Sequence, residues 1–201
     1  MFKEALTRIF VYGTLRKGQF NHNHFLSDAV LIGSTVVPDM ALVSMGPFPA
    51  AVPAMKYDED KQQWVVVGEV YDVSDAELRA IDRLEGIDSK FYMRRTVETE
   101  FGECVMYVLH PEAFRTRFGI SRPPHLYLGG DFFSKDNLYE VGPEDWEDVF
   151  DEVYLVAAKL VQPPLILPET KALPPPEPEK PKVYRAYLGP GVIMAPMREA
   201  E

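Results

Sequence analysis

The run Arg8-Ile9-Phe10-Val11-Tyr12 ends abruptly at Gly13, and Gly18 closes the following stretch Thr14-Leu15-Arg16-Lys17. The aromatic and β-branched run reads as a strand. The glycine-bounded segment reads as a turn whose N–H groups have neither sheet nor helix partners and therefore point at whatever fills the gap, as an anion cradle. Gly13, lacking a Cβ, lets a ligand approach the main chain closely, and Gly18 lets the loop close. An ordinary strand-ending turn has the same composition, so the loop acquires meaning only beside segments further along the chain.

Three such blocks stand in order: Val67-Gly68-Glu69-Val70-Tyr71-Asp72-Val73-Ser74, Ile81-Asp82-Arg83-Leu84-Glu85-Gly86 and Phe91-Tyr92-Met93-Arg94-Arg95-Thr96-Val97. Between loop and blocks lie Asn23-His24 with Leu26, and Phe48-Pro49-Ala50-Ala51-Val52; Gly129-Gly130-Asp131-Phe132 comes after them. In this order the pieces resemble the γ-glutamylcyclotransferase (AIG2-like) family over roughly residues 8 to 138, and ordered co-occurrence is far more specific than any single motif. Within the family, Leu15-Arg16 is similar to the loop of γ-glutamylamine cyclotransferases. The resemblance implies an α/β (α+β) fold, a small mixed β-barrel with flanking helices. It implies Glu85 as general base and then general acid, with Tyr12, Gly13, Thr14, Leu15 and Arg16 holding a glutamyl unit. Tyr92 and Tyr107 are expected to reach the pocket or pack in the core. The implied reaction closes 5-oxoproline from a γ-glutamyl amide and releases an amine, and it requires no metal or cofactor.

The residues around Glu85 carry their own argument. Ser74 with Glu77 forms a capping box, Leu78, Ile81 and Leu84 lie along one side, and Gly86 ends the helix. Glu85 thus falls at the negative end of a helix dipole, one turn from Asp82, and both neighbours, like any burial, push its pKa upward. Arg94 or Arg95 opposes that shift if either pairs with it.

Along the rest of the chain, a short helix is expected over 21–29, a strand over 30–38, a proline-rich structured loop over 40–54, and strands over 63–71, 91–99 and 104–109. His22-x-His24 lacks the further ligands of a metal site, His110 and His125 adjoin prolines and read as loop residues, and Cys104 reads as a buried, inert thiol.

The formal charge of −10 argues against a nucleic-acid partner, because no basic cluster exceeds Arg94-Arg95. No apolar run approaches membrane-spanning length, the N-terminus lacks a signal-peptide core, and the single cysteine suits a reducing cytoplasm. Residues 1–140 read as the domain and 141–201 as a C-terminal extension. The extension is expected to hold an amphipathic helix over 143–160, a proline-rich linker over 162–182 and a short hairpin over 183–194. Its apolar face (Trp146, Val149, Phe150, Val153, Ala157, Leu160) requires cover from the barrel, from another copy or from a protein partner, while the pocket is expected to be complete without it. Two classes of function therefore stand: a cyclotransferase acting on a small γ-glutamyl compound, or on a glutamyl mark carried by a larger molecule, and a binding protein built on the same fold.

Overall fold

Alternation along the first strand explains how the chain buries itself on two sides. In β1 (Thr7–Val11), Ile9 and Val11 join one apolar cluster and Phe10 joins another, all three at most 3% exposed. The computed structural model describes residues 6–54, 64–118, 122–134, 138–142 and 145–154. β1 sits at the centre of a five-stranded sheet with β2 (Val30–Pro38), β5 (Val65–Val73), β6 (Tyr92–Thr99) and β7 (Gly102–Leu109), in the order β2-β5-β1-β7-β6. It runs antiparallel to β5 and parallel to β7. The sheet curls until its edge strands β2 and β6 approach one another. Gly33 on β2 meets the Phe101 ring in the β6–β7 turn, at a distance where an added Cβ would lie 2.4 Å from Cζ.

Residues 40–54, expected as loop, form a hairpin instead. β3 (Met40–Ser44) pairs with β4 (Pro49–Pro53), and β8 (His125–Tyr127) and β9 (Leu138–Glu140) complete a second sheet in the order β4-β3-β8-β9. The prolines are tolerated because β4 is the outer strand of its sheet, where missing N–H donors break little of the ladder. Its residues alternate as in β1, with Ala50 and Val52 in the first cluster and Ala51 in the second. The architecture is a mixed α+β fold of two sheets with few helices, and His125 stands in a strand rather than a loop.

The helices are short apart from α2 (Asp75–Glu85), which has the expected capping box at Ser74 and Glu77 and ends at Gly86 in the left-handed region (φ 66°). α1 (His22–Phe25) is shorter than the helix expected over 21–29. Asn21 spends its side chain on Thr14 and supplies no cap. α3 (Pro111–Arg117), unforeseen, starts with proline in its first turn and the His110 ring accepting from the Glu112 N–H.

The helix expected over 143–160 is also broken. α4 (Trp146–Val149) stops at Phe150, which leaves the helix to bridge Ala54, and the Asp151 N–H donates to the Pro53 carbonyl. Trp146, Phe150 and Tyr154 are buried, whereas Val153 is exposed. Phe114 gathers Phe118, Phe150 and Tyr154 around it, with ring centroids 5.1–5.3 Å away. Each such pair contributes about 1 kcal/mol beyond the apolar area it buries. The main core therefore continues to Tyr154. The remainder of the expected helix, the linker over 162–182 and the hairpin over 183–194 lie outside the described residues.

Candidate functional site

The loop after β1 is fixed chiefly through its carbonyls. The Arg16 N–H donates to the Gly13 carbonyl at 3.1 Å, the Asn21 N–H donates to the Thr14 carbonyl at 3.0 Å, and His22 Nδ1 lies 3.0 Å from the Leu15 carbonyl. Asn21 Nδ2 also donates to Thr14 Oγ1 at 3.0 Å. These bonds set the turn, while the N–H groups of Gly13, Thr14 and Leu15 find no acceptor among the described residues. Unpartnered main-chain donors grouped in one turn form a site for an anionic group.

That turn lines a pocket of about 490 Å³, and Glu85, Tyr92 and Tyr107 line it as well. Five of the expected contact residues, Tyr12, Gly13, Thr14, Leu15 and Tyr92, are thus brought together with Glu85. The capped helix α2 is anchored in the core by Leu78 and Ile81, and this anchoring presents its last residue to the cavity. Glu85 keeps a small exposed surface, yet protein surrounds it closely enough that loss of solvent pushes its pKa up to about 7. No hydrogen bond or ion pair reaches its carboxylate from the described residues. Burial is the cause of the shift. Arg94 does not oppose it, because its guanidinium pairs with Asp82, which also accepts from the Tyr107 hydroxyl at 2.8 Å.

Tyr12 and Tyr92 give the pocket a rigid wall. The Tyr12 hydroxyl donates to the Tyr107 carbonyl at 2.7 Å and accepts from the Ala51 N–H at 3.1 Å, and the Tyr92 hydroxyl donates to the Pro49 carbonyl at 3.0 Å. Burial first, and then the neighbouring Glu85 among other charges, raises both phenol pKa values, so both rings stay neutral. A neutral, fully engaged phenol orients its surroundings and does not compete with Glu85 for protons.

Arg16 is the departure from expectation. It does not line the pocket, and its guanidinium lies 2.7 Å from Asp131, 3.8 Å from Glu69 and 3.9 Å from the centre of the Phe133 ring. Gly13 also makes room for a neighbouring strand. A Cβ there would sit 2.9 Å from Pro49 Cγ, so the missing side chain admits the β4 proline that walls the pocket.

Sequence reasoning overlooks Asn21, which lines the pocket and braces Thr14, and the apolar rim of Phe20, Phe48 and Phe91. Phe48 and Phe91 stand inside the family-like blocks, but nothing in the spacing marks them as facing a cavity. Cys104 is buried and its thiol pKa is raised, chiefly by burial. Among the described residues no three His, Cys, Asp or Glu side chains cluster as metal ligands, and no helix is long and apolar enough to cross a membrane.

The chain's similarity to known proteins covers this same region. The family described as "Gamma-glutamyl cyclotransferase, AIG2-like" matches residues 9–129. The γ-glutamylcyclotransferase family protein YtfP of Escherichia coli K12 is 37% identical over 101 residues, which is 50% of this chain and 80% of that protein. Its namesake in Citrobacter rodentium has the same identity and coverage. The solution structure of E. coli ytfP is 30% identical, with a TM-score of 0.46, and the alignment covers 65% of this chain and 99% of that one. With the family match spanning more than half of its length, from Ile9 in the strand before the loop to Gly129, the chain belongs to the γ-glutamylcyclotransferase, AIG2-like family.

Proposed function

We propose that the protein is a cyclotransferase that cleaves a small γ-glutamyl amide, releasing 5-oxoproline and an amine. The observation that carries this reading is a carboxylate with a pKa near 7 and no partner among the described residues, lining the same pocket as a turn in which three N–H groups find no acceptor among those residues. The glutamyl α-carboxylate accepts from the N–H groups of residues 13–15, which folds the substrate so that its α-nitrogen faces its own side-chain carbonyl. Glu85 takes a proton from the α-ammonium. The freed amine attacks the side-chain carbonyl carbon and closes a five-membered ring. Glu85 then returns the proton to the departing nitrogen as the old C–N bond breaks, and the second proton shed by the attacking nitrogen as it becomes the ring amide also leaves with the amine, which departs as an ammonium. All atoms of the substrate appear in the two products, and no water is consumed.

This chemistry asks for position and for one group that both accepts and donates a proton near neutral pH. Holding the reacting ends together supplies much of the rate, and a carboxyl group titrating near 7 meets the second need. The single cysteine and family membership support action in the cytoplasm. The test is release of 5-oxoproline from γ-glutamyl amides by the purified chain, with Glu85→Gln as control. Binding of γ-glutamyl ligands without any release would instead favour the reading of a binding protein.

A further inference from the structure

Glu85 and the turn at residues 13–15 line one pocket from different elements, so some part of the fold must set the distance between them. Glu85 is the last residue of α2, and its carboxylate has no hydrogen-bond or ion-pair partner among the described residues, so its place is inherited from the backbone of the final helical turn. Apolar anchoring within the helix ends before that turn does, because Leu78 and Ile81 are buried whereas Arg83 and Leu84 are exposed. Asp82 takes over there. Its main-chain carbonyl accepts from the N–H groups of Gly86 and Ile87, which closes the helix directly after Glu85. Its carboxylate accepts from Arg94 on β6, through Nε at 2.8 Å and through Nη2, and from the Tyr107 hydroxyl on β7 at 2.8 Å.

Tyr107 carries the connection onward. Its ring lines the pocket, and its carbonyl accepts from the hydroxyl of Tyr12, the residue that precedes the turn. A continuous set of bonds from Arg94 through Asp82 and Tyr107 to Tyr12 thus joins the end of α2 to the strand that bears the turn. A second two-pronged pair gives the contrast. Arg8 holds Asp72 through Nε at 2.8 Å and Nη2 at 3.1 Å, but it joins the neighbouring strands β1 and β5, and neither residue lines the pocket. The Asp82 pair is partly exposed, its side chains at 24% and 39%, and such a pair contributes little to global stability. Its planar fork instead fixes orientation. Resting on the reading of the site given above, we propose that Asp82 is a positioning residue: held by Arg94 and Tyr107, it sets Glu85 against Tyr12 and the turn at 13–15. A displacement of about 1 Å between reacting groups lowers a rate by about 100-fold, so a tether of this kind matters to turnover far more than to folding.

The test compares the full-length parent with Asp82→Asn, Tyr107→Phe, the double variant and Asp72→Asn, each at a temperature where circular dichroism shows it folded. Release of 5-oxoproline from γ-glutamylmethylamide is followed. Asp82→Asn keeps the shape and loses the charge that holds Arg94, so kcat is expected to fall by about 10- to 100-fold with KM within about twofold, because the turn that binds the glutamyl unit is untouched. Tyr107→Phe should lower kcat several-fold, and the double variant should fall no further than about twofold below Asp82→Asn, since both substitutions break the same connection. Asp72→Asn should leave kcat within about twofold of the parent. An Asp82→Asn kcat within about twofold of the parent overturns the proposal, as do a loss carried by KM, effects that multiply in the double variant, or an equal loss in Asp72→Asn. Amide hydrogen exchange needs no turnover. The Gly86 and Ile87 N–H groups should exchange at least about tenfold faster in Asp82→Asn and at the parental rate in Asp72→Asn. Faster exchange in Asp82→Asn beside a parent that releases no 5-oxoproline leaves the positioning role standing and removes the cyclotransferase reading. Release by the parent, with exchange and kcat unchanged in Asp82→Asn, does the opposite.

Discussion

The two halves of the loop after β1 use one stretch of backbone in contrary ways. Residues 13–15 line the pocket and their N–H groups find no acceptor among the described residues, whereas the next two residues are consumed by the protein. Arg16 turns to Asp131 and Glu69, and the Lys17 N–H donates to Glu69 Oε2 at 2.8 Å, an oxygen that also accepts from the Tyr71 hydroxyl at 2.9 Å. The carboxylates on the two sides differ in the same way. Glu69 is 8% exposed and surrounded by donors, while Glu85, partly exposed at the pocket, has no hydrogen-bond or ion-pair partner among the described residues. A buried charge with its hydrogen bonds made belongs to the framework, and one without them is available to exchange a proton. Two glutamates that look alike in a motif are thus separated by their partners.

The sharpest way to break this comparison is to neutralise the unpartnered side. Glu85→Gln keeps shape and removes proton transfer, so kcat should fall by about 10³-fold or more while circular dichroism stays unchanged. A loss of less than tenfold would move the proton carrier elsewhere. In the parent, kcat/KM is expected to rise with pH and level off near 7, where Glu85 becomes a base. Arg16→Ala tests the other half. It leaves Glu69 and Asp131 without their guanidinium, with an expected cost of about 3 kcal/mol in urea unfolding. KM at a temperature where the variant is folded should change only modestly. A large KM increase in a chain of unchanged stability would return Arg16 to the substrate. Gly13→Val acts at the start of the first half. Its side chain collides with Pro49, displaces the turn and should weaken binding of γ-glutamyl ligands by about tenfold or more.

Legibility in the sequence divides in the same way, between local and distant partners. The α2 helix is readable to its last residue because its start and stop signals, Ser74 with Glu77 and then Gly86, are local. Glu85 can therefore be placed at a helix end, although the cause of its raised pKa, enclosure by the pocket, depends on tertiary structure. Residues 40–54 read wrongly as loop because prolines break strands in general and are permitted on an outer strand, and only the sheet order shows which applies. The helix expected beyond Pro143 has the right periodicity, but Phe150 finds a partner in Ala54 and leaves the helix to reach it. Arg16 reads as a ligand contact because it follows Tyr12 to Leu15, which line the pocket. Its actual partner, Asp131, is 115 residues away. The motif Gly129-Gly130-Asp131-Phe132 holds that partner, and a Cβ at Gly130 would fall 1.7 Å from the Val65 carbonyl oxygen, so the glycine lets this segment lie directly against β5.

The smallest effect expected from the contrast between Glu69 and Glu85 is one of stability, and its sign is opposite to the usual one for a carboxylate. In the unfolded chain Glu85 ionises near 4.5, and in the folded chain only near 7. Between these values the folded chain binds more protons, so its stability declines as pH rises through the window and the full cost is present above about 7. Glu85→Gln removes the titration, and at pH 8 the variant should be more stable than the parent. The shift sets an upper limit of about 3 kcal/mol, and because Glu85 keeps some contact with solvent, a gain of about 2 kcal/mol is expected. At pH 4 the carboxyl is neutral in both states and the gain should vanish. Urea unfolding of both chains at several pH values measures the gap directly. A gap that widens between pH 4.5 and 7 means that the site sacrifices stability to keep a carboxylate enclosed without a partner. A gap that stays flat means that water or an unrecognised donor satisfies Glu85 in the folded chain, and Glu85 would then belong with Glu69 as part of the framework.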